Sequence, residues 1–470
     1  MGQQRSGRQR LGRWRRTRAA HRNRPDTGHR DRPDTGHRDR PDTGHRDRPD
    51  TGHRDRPDTG HRDRPGGDRA GRDRPRLVHL TTIDLSLTHL LLPQLIAFRD
   101  AGYEVIGVSA PGPHVATLEA AGIRHVALHR STRAADLRAD VATVREFARV
   151  CRQLRPDIVH THNPKPGIYG RIVARLTGVP VVVNTVHGLY ALPTDPWPKR
   201  AVVYTLERIA ASFSHAELLQ NPEDLPTLRR LRVPAVKLRL LGNGVDLSRF
   251  DPTGHLAGER AAVRRELGVE DDEVVVGLVG RLVAEKGYRE VFEVARRLRS
   301  SHPAARVVVA GPADPDKADA ITEDELDRAA AEAGVLLLGM RDDVERLYTA
   351  FDCYVLASWR EGFPRSAMEA AAMGLPLVLT DIRGCRQVVE DGVNGRLVPV
   401  RDPAALAAAI GELVADGGAR QAMGAASRAK ALSEFDDRSQ VATTLATYSR
   451  LGVPPRSAPA QAPVERELER

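Results

Sequence analysis

Two glutamates, Glu361 and Glu369, stand seven intervening residues apart across a segment that reads as a loop running into a helix. A carboxylate in such a loop can accept hydrogen bonds from sugar hydroxyls, and one a turn inside the helix can accept them from a ribose diol. Between them, Gly362 permits close backbone approach, Phe363 follows, and Pro364 suits a first helical turn, whose free N–H groups and dipole would face a bound anion. Earlier in the chain the apolar run Val274–Val279 ends in Gly280-Arg281, with Lys286 five residues beyond Arg281. Gly280 allows a tight turn off a strand, Arg281 offers a planar fork and Lys286 a point charge, so both cations could be aimed at one diphosphate. Gly-Lys-Ser/Thr, the signature of a Walker A phosphate loop, is absent. The plainer alternative is solvated surface cations, with glutamates favoured near a helix start by the dipole alone.

Histidines form a second set. His187 closes an apolar run, where a lone histidine is more often structural than functional. His160 and His162 alternate on a strand and could bind a metal, but no third ligand with convincing spacing follows; packing or contact with an acceptor is the favoured reading, and no metal is expected. Asn243, in Gly242-Asn243-Gly244, reads as a left-handed turn residue or as a group near a ligand at a domain junction.

These residues need a scaffold, and the chain supplies one from Arg76 onward by alternating short apolar runs with amphipathic stretches of helical length, the pattern of β-α-β units around a buried parallel sheet. Strands are expected at 77–81, 104–109, 124–128, 157–162, 180–185, 215–220 and 237–241, then at 274–279, 306–310, 334–338, 353–356 and 377–380. The fold class is α/β, with two facing doubly wound domains over 77–250 and 251–430 and a polar linker at Asp246–Asp272. Such sheets bind ligands at the carboxyl ends of their strands, so facing domains would enclose a cleft.

Composition removes several other functions. Residues 1–76 carry 23 Lys and Arg against 12 Asp and Glu, which accounts for the chain's net charge of +10 and leaves the remainder near neutrality. The foldable part therefore has no charge excess for wrapping a polyanion, and no specific nucleic acid is expected. From His21 to Asp63 the octapeptide His-Arg-Asp-Arg-Pro-Asp-Thr-Gly recurs without an apolar position, which predicts a disordered tail. Weak metal binding through its spaced histidines, or contact of a basic arm with anionic lipid or RNA, are the alternatives. Three cysteines, Cys151, Cys353 and Cys385, fit a reducing cytosol better than a disulfide framework. No stretch approaches the ~20 apolar residues needed to span a bilayer, nor is there the apolar core of a signal peptide, so any membrane contact should be peripheral.

Taken in order, the motifs resemble those of the retaining glycosyltransferases of family four, which have the GT-B fold. The likeness covers roughly residues 77–450 and includes His160-Thr161-His162-Asn163-Pro164-Lys165, Asn184-Thr185-Val186-His187-Gly188, Gly242-Asn243-Gly244-Val245-Asp246, Gly280-Arg281 with Lys286, and Glu361-Gly362-Phe363-Pro364 with Glu369. It implies that Arg281 and Lys286 hold the diphosphate of a nucleotide sugar, Glu361 the sugar hydroxyls and Glu369 the ribose. Backbone at Phe363 and Pro364 would meet sugar or phosphate, Gly339-Met340-Arg341 would lie beside the base, and His187 would face the donor sugar. His162, Asn163 and Lys165 would lie on the acceptor side. Many relatives carry a glycine-rich loop after the first strand; here Thr81-Thr82-Ile83-Asp84-Leu85-Ser86 replaces it, as in a bacterial subset that builds capsule, O-antigen or glycan-lipid intermediates. Leu85, Leu87, Leu90, Leu91 and Leu92 could face the hydrocarbon of a lipid-linked acceptor, although a core-facing helix is the plainer account. A helix over 431–452 would cross back to the first domain, followed by a flexible tail over 453–470.

The resemblance implies transfer of a sugar, with retention of configuration, from a nucleotide sugar (UDP by subgroup likeness) to a lipid-linked or polysaccharide hydroxyl. The enzyme would be cytoplasmic and peripheral at the inner face of the membrane, without a cofactor, since the nucleotide sugar is a substrate. Alternatives are a nucleotide-sugar epimerase, a noncatalytic nucleotide-sugar-binding protein and a nicotinamide-dependent Rossmann enzyme, for which a convincing Gly-x-Gly-x-x-Gly turn is missing.

Overall fold

A computed structural model describes residues 72–134, 136–162, 164–315, 317 and 319–456. The tail expected to be disordered lies outside the described residues apart from 72–76, and the expected flexible tail apart from 453–456.

Seven strands form the first sheet: β1 Arg76–Ile83, β2 Glu104–Ala110, β3 Arg124–Ala127, β4 Ile158–His162, β5 Val181–Val186, β6 Ala216–Leu219 and β7 Leu238–Leu240. All pairs are parallel, in the order β3-β2-β1-β4-β5-β6-β7. A buried parallel strand must be apolar on both faces. Leu77 and Ile158 accordingly enter one core, and Val78 and Val159 the core on the other face. The second sheet has six parallel strands, β8 Val274–Val279, β9 Ala305–Ala310, β10 Leu336–Leu337, β11 Cys353–Leu356, β12 Leu377–Thr380 and β13 Gly395–Val398, in the order β10-β9-β8-β11-β12-β13.

The segment expected to be a linker is instead part of the second domain. It holds the helix Glu259–Leu267, and Phe250, Leu256, Val263 and Val269 are buried in that domain's core. Arg264, also buried, donates to the carbonyls of Ala350 and Glu273, so polar residues here satisfy backbone rather than meet solvent.

The return to the first domain is sharper than expected over 431–452. The helix Gly417–Glu434 packs on the second-domain helix Arg365–Ala372. The chain breaks at Phe435, and a separate helix, Asp437–Arg450, starts with Asp436 as its N-cap and packs on Leu92–Asp100. Its Tyr448 is buried in the first domain, where its hydroxyl lies 2.6 Å from His160 Nδ1. Val453 follows into the same core, and the Tyr103 hydroxyl donates to its carbonyl at 2.6 Å, so the first residue of the expected flexible tail is seated.

After β1, the run that replaces a glycine-rich loop is organised by Asp84. This buried carboxylate accepts from the backbone N–H groups of Leu85 (2.9 Å) and His114 (2.8 Å). In the turns that follow, Leu87 and Leu91 are buried in the core while Leu90 is exposed, which favours the core-facing reading for this stretch.

Candidate active site

The second domain meets the cleft with charge. Lys286, in the short turn before the helix Tyr288–Ser301, forms an ion pair with Glu361 at 2.5 Å. Glu361 also accepts from the Ser358 hydroxyl at 2.8 Å, and Ser358 is tied to β12 through the Thr380 hydroxyl. Arg281, just past β8, pairs with Asp314 at 2.8 Å, while the Gly280 carbonyl accepts from the Tyr288 hydroxyl at 2.6 Å. The two cations expected to share a diphosphate are thus each engaged by a separate carboxylate. Glu369 lies inside the helix Arg365–Ala372, accepting from the Tyr348 hydroxyl and from Arg365, both at 3.2 Å; burial raises its pKa.

Arg341 is committed elsewhere as well. It is forked onto Asp343 at 2.8 Å and paired with Glu266 at 2.7 Å, which fixes the loop after β10 to the helix Glu259–Leu267. Lys165 turns away from the histidines to Asp140 at 2.7 Å, and Asn163 lies outside the described residues.

The first domain meets the cleft with neutral groups joined into one chain. Asn243 donates to the Phe363 carbonyl at 3.1 Å and, through its oxygen, accepts from the Gly244 N–H at 3.0 Å and from the Gln220 amide at 3.2 Å. Gln220 Oε1 lies 3.0 Å from His187 Nδ1, His187 Nε2 lies 2.9 Å from His162 Nδ1, and His162 Nε2 lies 3.0 Å from His79 Nδ1. Because a carbonyl only accepts and a backbone N–H only donates, Asn243 has one orientation. That orientation propagates: Gln220 presents its oxygen to His187, so neutral His187 carries its proton on Nδ1, and His162 and His79 must do the same. Burial keeps these rings neutral, lowering the pKa of His187 to about 4 and that of His79 to about 3, and His162 falls well below its usual value.

Sequence reasoning missed His79, Gln220 and Asn221. His79 is the third histidine sought near His160 and His162: one nitrogen from each lies within 4.8 Å of the others. The rings of His160 and His162 are nonetheless stacked, with centroids 4.7 Å apart, and all four of their nitrogens have protein partners, those of His160 being Tyr448 and Thr185. The arrangement is a hydrogen-bonded column. Asn243 also differs from expectation, since Gly242 (φ 71°) takes the left-handed position and Asn243 does not.

The two walls meet at the loop that holds Gly362. Asn221 donates to the Gly362 carbonyl at 2.8 Å, and a Cβ on Gly362 would lie 1.9 Å from the His187 carbonyl oxygen, so only glycine permits this approach. Around the contact, Arg360 reaches Asp195 and the Tyr190 carbonyl, each at 2.9 Å, Arg386 reaches Glu223 at 2.8 Å, and Arg383 pairs with buried Asp224. The structure therefore gathers His187, Asn243, Lys286, Glu361, Gly362, Phe363 and Pro364 about one junction at the carboxyl ends of both sheets.

Comparison with known proteins agrees with this architecture domain by domain. Residues 94–249 match the family model "Glycosyltransferase Family 4", and residues 259–430 match "Glycosyl transferases group 1". The chain is 31% identical over 266 residues to the UDP-Gal:alpha-D-GlcNAc-diphosphoundecaprenol alpha-1,3-galactosyltransferase of Escherichia coli, covering 56% of this chain and 67% of that one. It is 26% identical to the capsular polysaccharide biosynthesis glycosyltransferase CapM of Staphylococcus aureus, covering 77% and 94%. The structure of Anabaena HepE in complex with UDP and glucose superposes with a TM-score of 0.67 at 20% identity, covering 80% of this chain and 100% of that one. A Rickettsia africae glycosyltransferase does so with a TM-score of 0.67 at 16% identity, covering 81% and 99%. The chain belongs to the GT-B glycosyltransferases, pairing a family 4 first domain with a group 1 second domain.

Proposed function

We propose that the protein transfers a sugar, with retention of anomeric configuration, from a nucleotide diphosphate sugar to a hydroxyl of a lipid-linked or polysaccharide acceptor in bacterial cell-surface glycan synthesis. The observation that carries the reading is the junction where Lys286 and Glu361 stand beside the Gly362–Pro364 loop and face His187. UDP is the proposed nucleotide, because the E. coli relative is named for UDP-Gal and HepE was solved with UDP. The acceptor class follows the names of the E. coli and S. aureus relatives. The reading calls for no metal and no cofactor, and places the enzyme in the cytoplasm, peripheral to the membrane.

In this mechanism the bond from the anomeric carbon to the leaving phosphate oxygen breaks while the acceptor oxygen bonds to that carbon on the same face. The acceptor's proton passes to the leaving phosphate oxygen, so no protein nucleophile is needed. Arg281 and Lys286 neutralise the charge developing on the diphosphate, aided by the first N–H groups of the helix Arg365–Ala372. Glu361, carrying the Lys286 ammonium, orients sugar hydroxyls, and Glu369 receives the ribose. Incoming phosphate would take Arg281 from Asp314, an exchange of one charge-assisted bond for another. The Phe363 carbonyl, held by Asn243, fixes the loop against which the donor sits. The test is a release assay with UDP-sugars and candidate acceptors: acceptor-dependent UDP release supports the reading, and conversion of the donor sugar without an acceptor would mean epimerisation instead.

A further inference from the structure

The first-domain segment that follows His187 is gripped by the second domain. Gly188, at φ 115°, turns the chain after His187, and a Cβ there would meet the Arg383 guanidinium at 2.8 Å and the Gly362 Cα at 2.9 Å, so the bare glycine makes room for Arg383. Arg383 stands in the turn after β12, in the second domain. Its guanidinium fork is divided between two first-domain acceptors: one arm pairs with Asp224, and the other donates to the Leu189 carbonyl at 2.9 Å. Asp224, in the turn Pro222–Asp224 after β6, accepts in its turn from the Leu189 N–H at 3.1 Å. The N–H and the carbonyl of Leu189, two residues past His187, are therefore both held by one cross-domain ion pair. The carbonyl of Tyr190 is held by another second-domain cation, Arg360, at 2.9 Å.

The pair differs from a rim contact such as Arg386 with Glu223, which is exposed and screened. Asp224 is 1% exposed, and burial raises the pKa of its carboxyl while lowering that of the Arg383 guanidinium. Charges so placed are costly unless each has the other, so the grip exists only with the second-domain turn seated against the first domain. Asp224 heads the helix Leu225–Arg230 without capping it through its side chain, which leaves its two oxygens to Leu189 and Arg383. The cations that hold this strap also bracket Glu361. Arg360 precedes it in the chain, and Gly384, next to Arg383, packs so closely on it that a Cβ there would lie 2.8 Å from the Glu361 Cβ. The ring of His187 is thus fixed from within the first domain, by Gln220 and His162, whereas the backbone beside it is fixed from the second, by the loops that carry Glu361.

We infer that Arg383 is a positioning residue: through Asp224 and the backbone of Leu189 it sets His187 against the Gly362–Pro364 loop, so that one second-domain side chain places a first-domain group of the cleft. The inference rests on the proposed sugar transfer for the part His187 plays. In the test, Arg383→Met and Asp224→Leu are made together in the full chain, which removes both charges at once and leaves neither buried alone. The pair is then combined with His187→Ala. Misplacing a group by about an ångström can cost about a hundredfold, so the double variant should release UDP at least about tenfold more slowly at saturating substrate, with UDP affinity within about threefold of wild type. In the His187→Ala background the same two substitutions should change the rate by less than about twofold, since a residue that acts through another adds nothing once the other is gone. Multiplicative losses would overturn the inference and leave the pair a brace of the fold. An unchanged rate would overturn it too, as would a tenfold loss of UDP affinity, which would make Arg383 a donor ligand. Hydrogen exchange reads the strap without turnover: amides of residues 188–191 should exchange at least about tenfold faster in the double variant while β12 stays protected, and equal exchange would overturn the inference. If the wild type releases no UDP with any acceptor while the exchange result holds, the proposed reaction fails and the strap stands. Should the double variant not fold, Arg383→Lys, which keeps the charge but not the fork, takes its place in each measurement.

Discussion

One wall of the cleft works with charge and the other without it. The second domain presents Arg281, Lys286, Glu361 and Glu369, the first two already ion-paired. The first presents Asn243, Gln220, His187, His162 and His79, joined without a formal charge. Under the proposed reaction, charges suit the side that would receive a diphosphate and stabilise more negative charge as it leaves. They also need counter-ions meanwhile, which Asp314 and Glu361 supply. On the other side, buried charge would be costly, whereas a fully hydrogen-bonded neutral network can lie in the interior and still fix direction. The Phe363 carbonyl, a second-domain group, and the Gly244 N–H both fix the Asn243 amide, and the proton positions of three first-domain histidines follow from that orientation.

Substitutions on the two walls should therefore fail differently. Lys286→Ala should lower turnover by about a hundredfold or more, as loss of a group that stabilises transition-state charge does; steady-state rates within threefold of wild type would break the comparison. Glu369→Ala, aimed at the ribose contact, should weaken UDP binding about tenfold, read by calorimetry. Gln220→Leu leaves a buried imidazole N–H and the Asn243 oxygen short of a partner and should cost about 1–3 kcal/mol of stability. It should lower turnover with little change in UDP affinity.

Acidification sharpens the contrast. The histidines have folded pKa values below the unfolded 6.5, so the unfolded state binds more protons as pH falls. Their contribution is complete above pH 6.5 and is lost progressively as pH falls, through about 4 for His187 and about 3 for His79. Chemical-denaturation midpoints across this window should fall with pH, less steeply in His187→Gln. The smallest effect belongs to the rim: Arg386→Ala removes an exposed pair with Glu223, worth less than about 1 kcal/mol, and should leave UDP binding untouched.

Arg281, Lys286 and Glu361 of the charged wall stood out in the sequence because each sits beside a glycine near the end of a strand or the start of a helix. The neutral wall did not, because its order comes from register: β1 pairs His79 with His160, β4 pairs His162 with Thr185, and Gln220 lies one position past β6. A polar His79 inside the apolar run Leu77-Val78-His79-Leu80 was the available signal. Most strands followed from their apolar runs, but β13, only Gly395–Val398, was missed. A Cβ on Gly395 would lie 2.1 Å from the Leu377 carbonyl oxygen, so glycine here admits a close strand pairing rather than a turn. The helix Gly417–Glu434 was hidden by its two opening glycines, although Asp416 caps it. The polar stretch at 246–272 misled because its larger apolar residues, Leu247, Phe250, Leu256, Val263, Leu267 and Val269, are spaced widely yet all turn inward.

The most direct test is UDP calorimetry on three forms of the full chain: wild type, Glu369→Ala and Gln220→Leu, with melting curves to confirm folding. The account predicts that wild type binds UDP in preference to GDP, ADP and NAD, that Glu369→Ala binds it at least about tenfold more weakly, and that Gln220→Leu binds it nearly as wild type does. Binding of NAD alone, or equal losses in the two variants, would contradict the division of labour between the two walls.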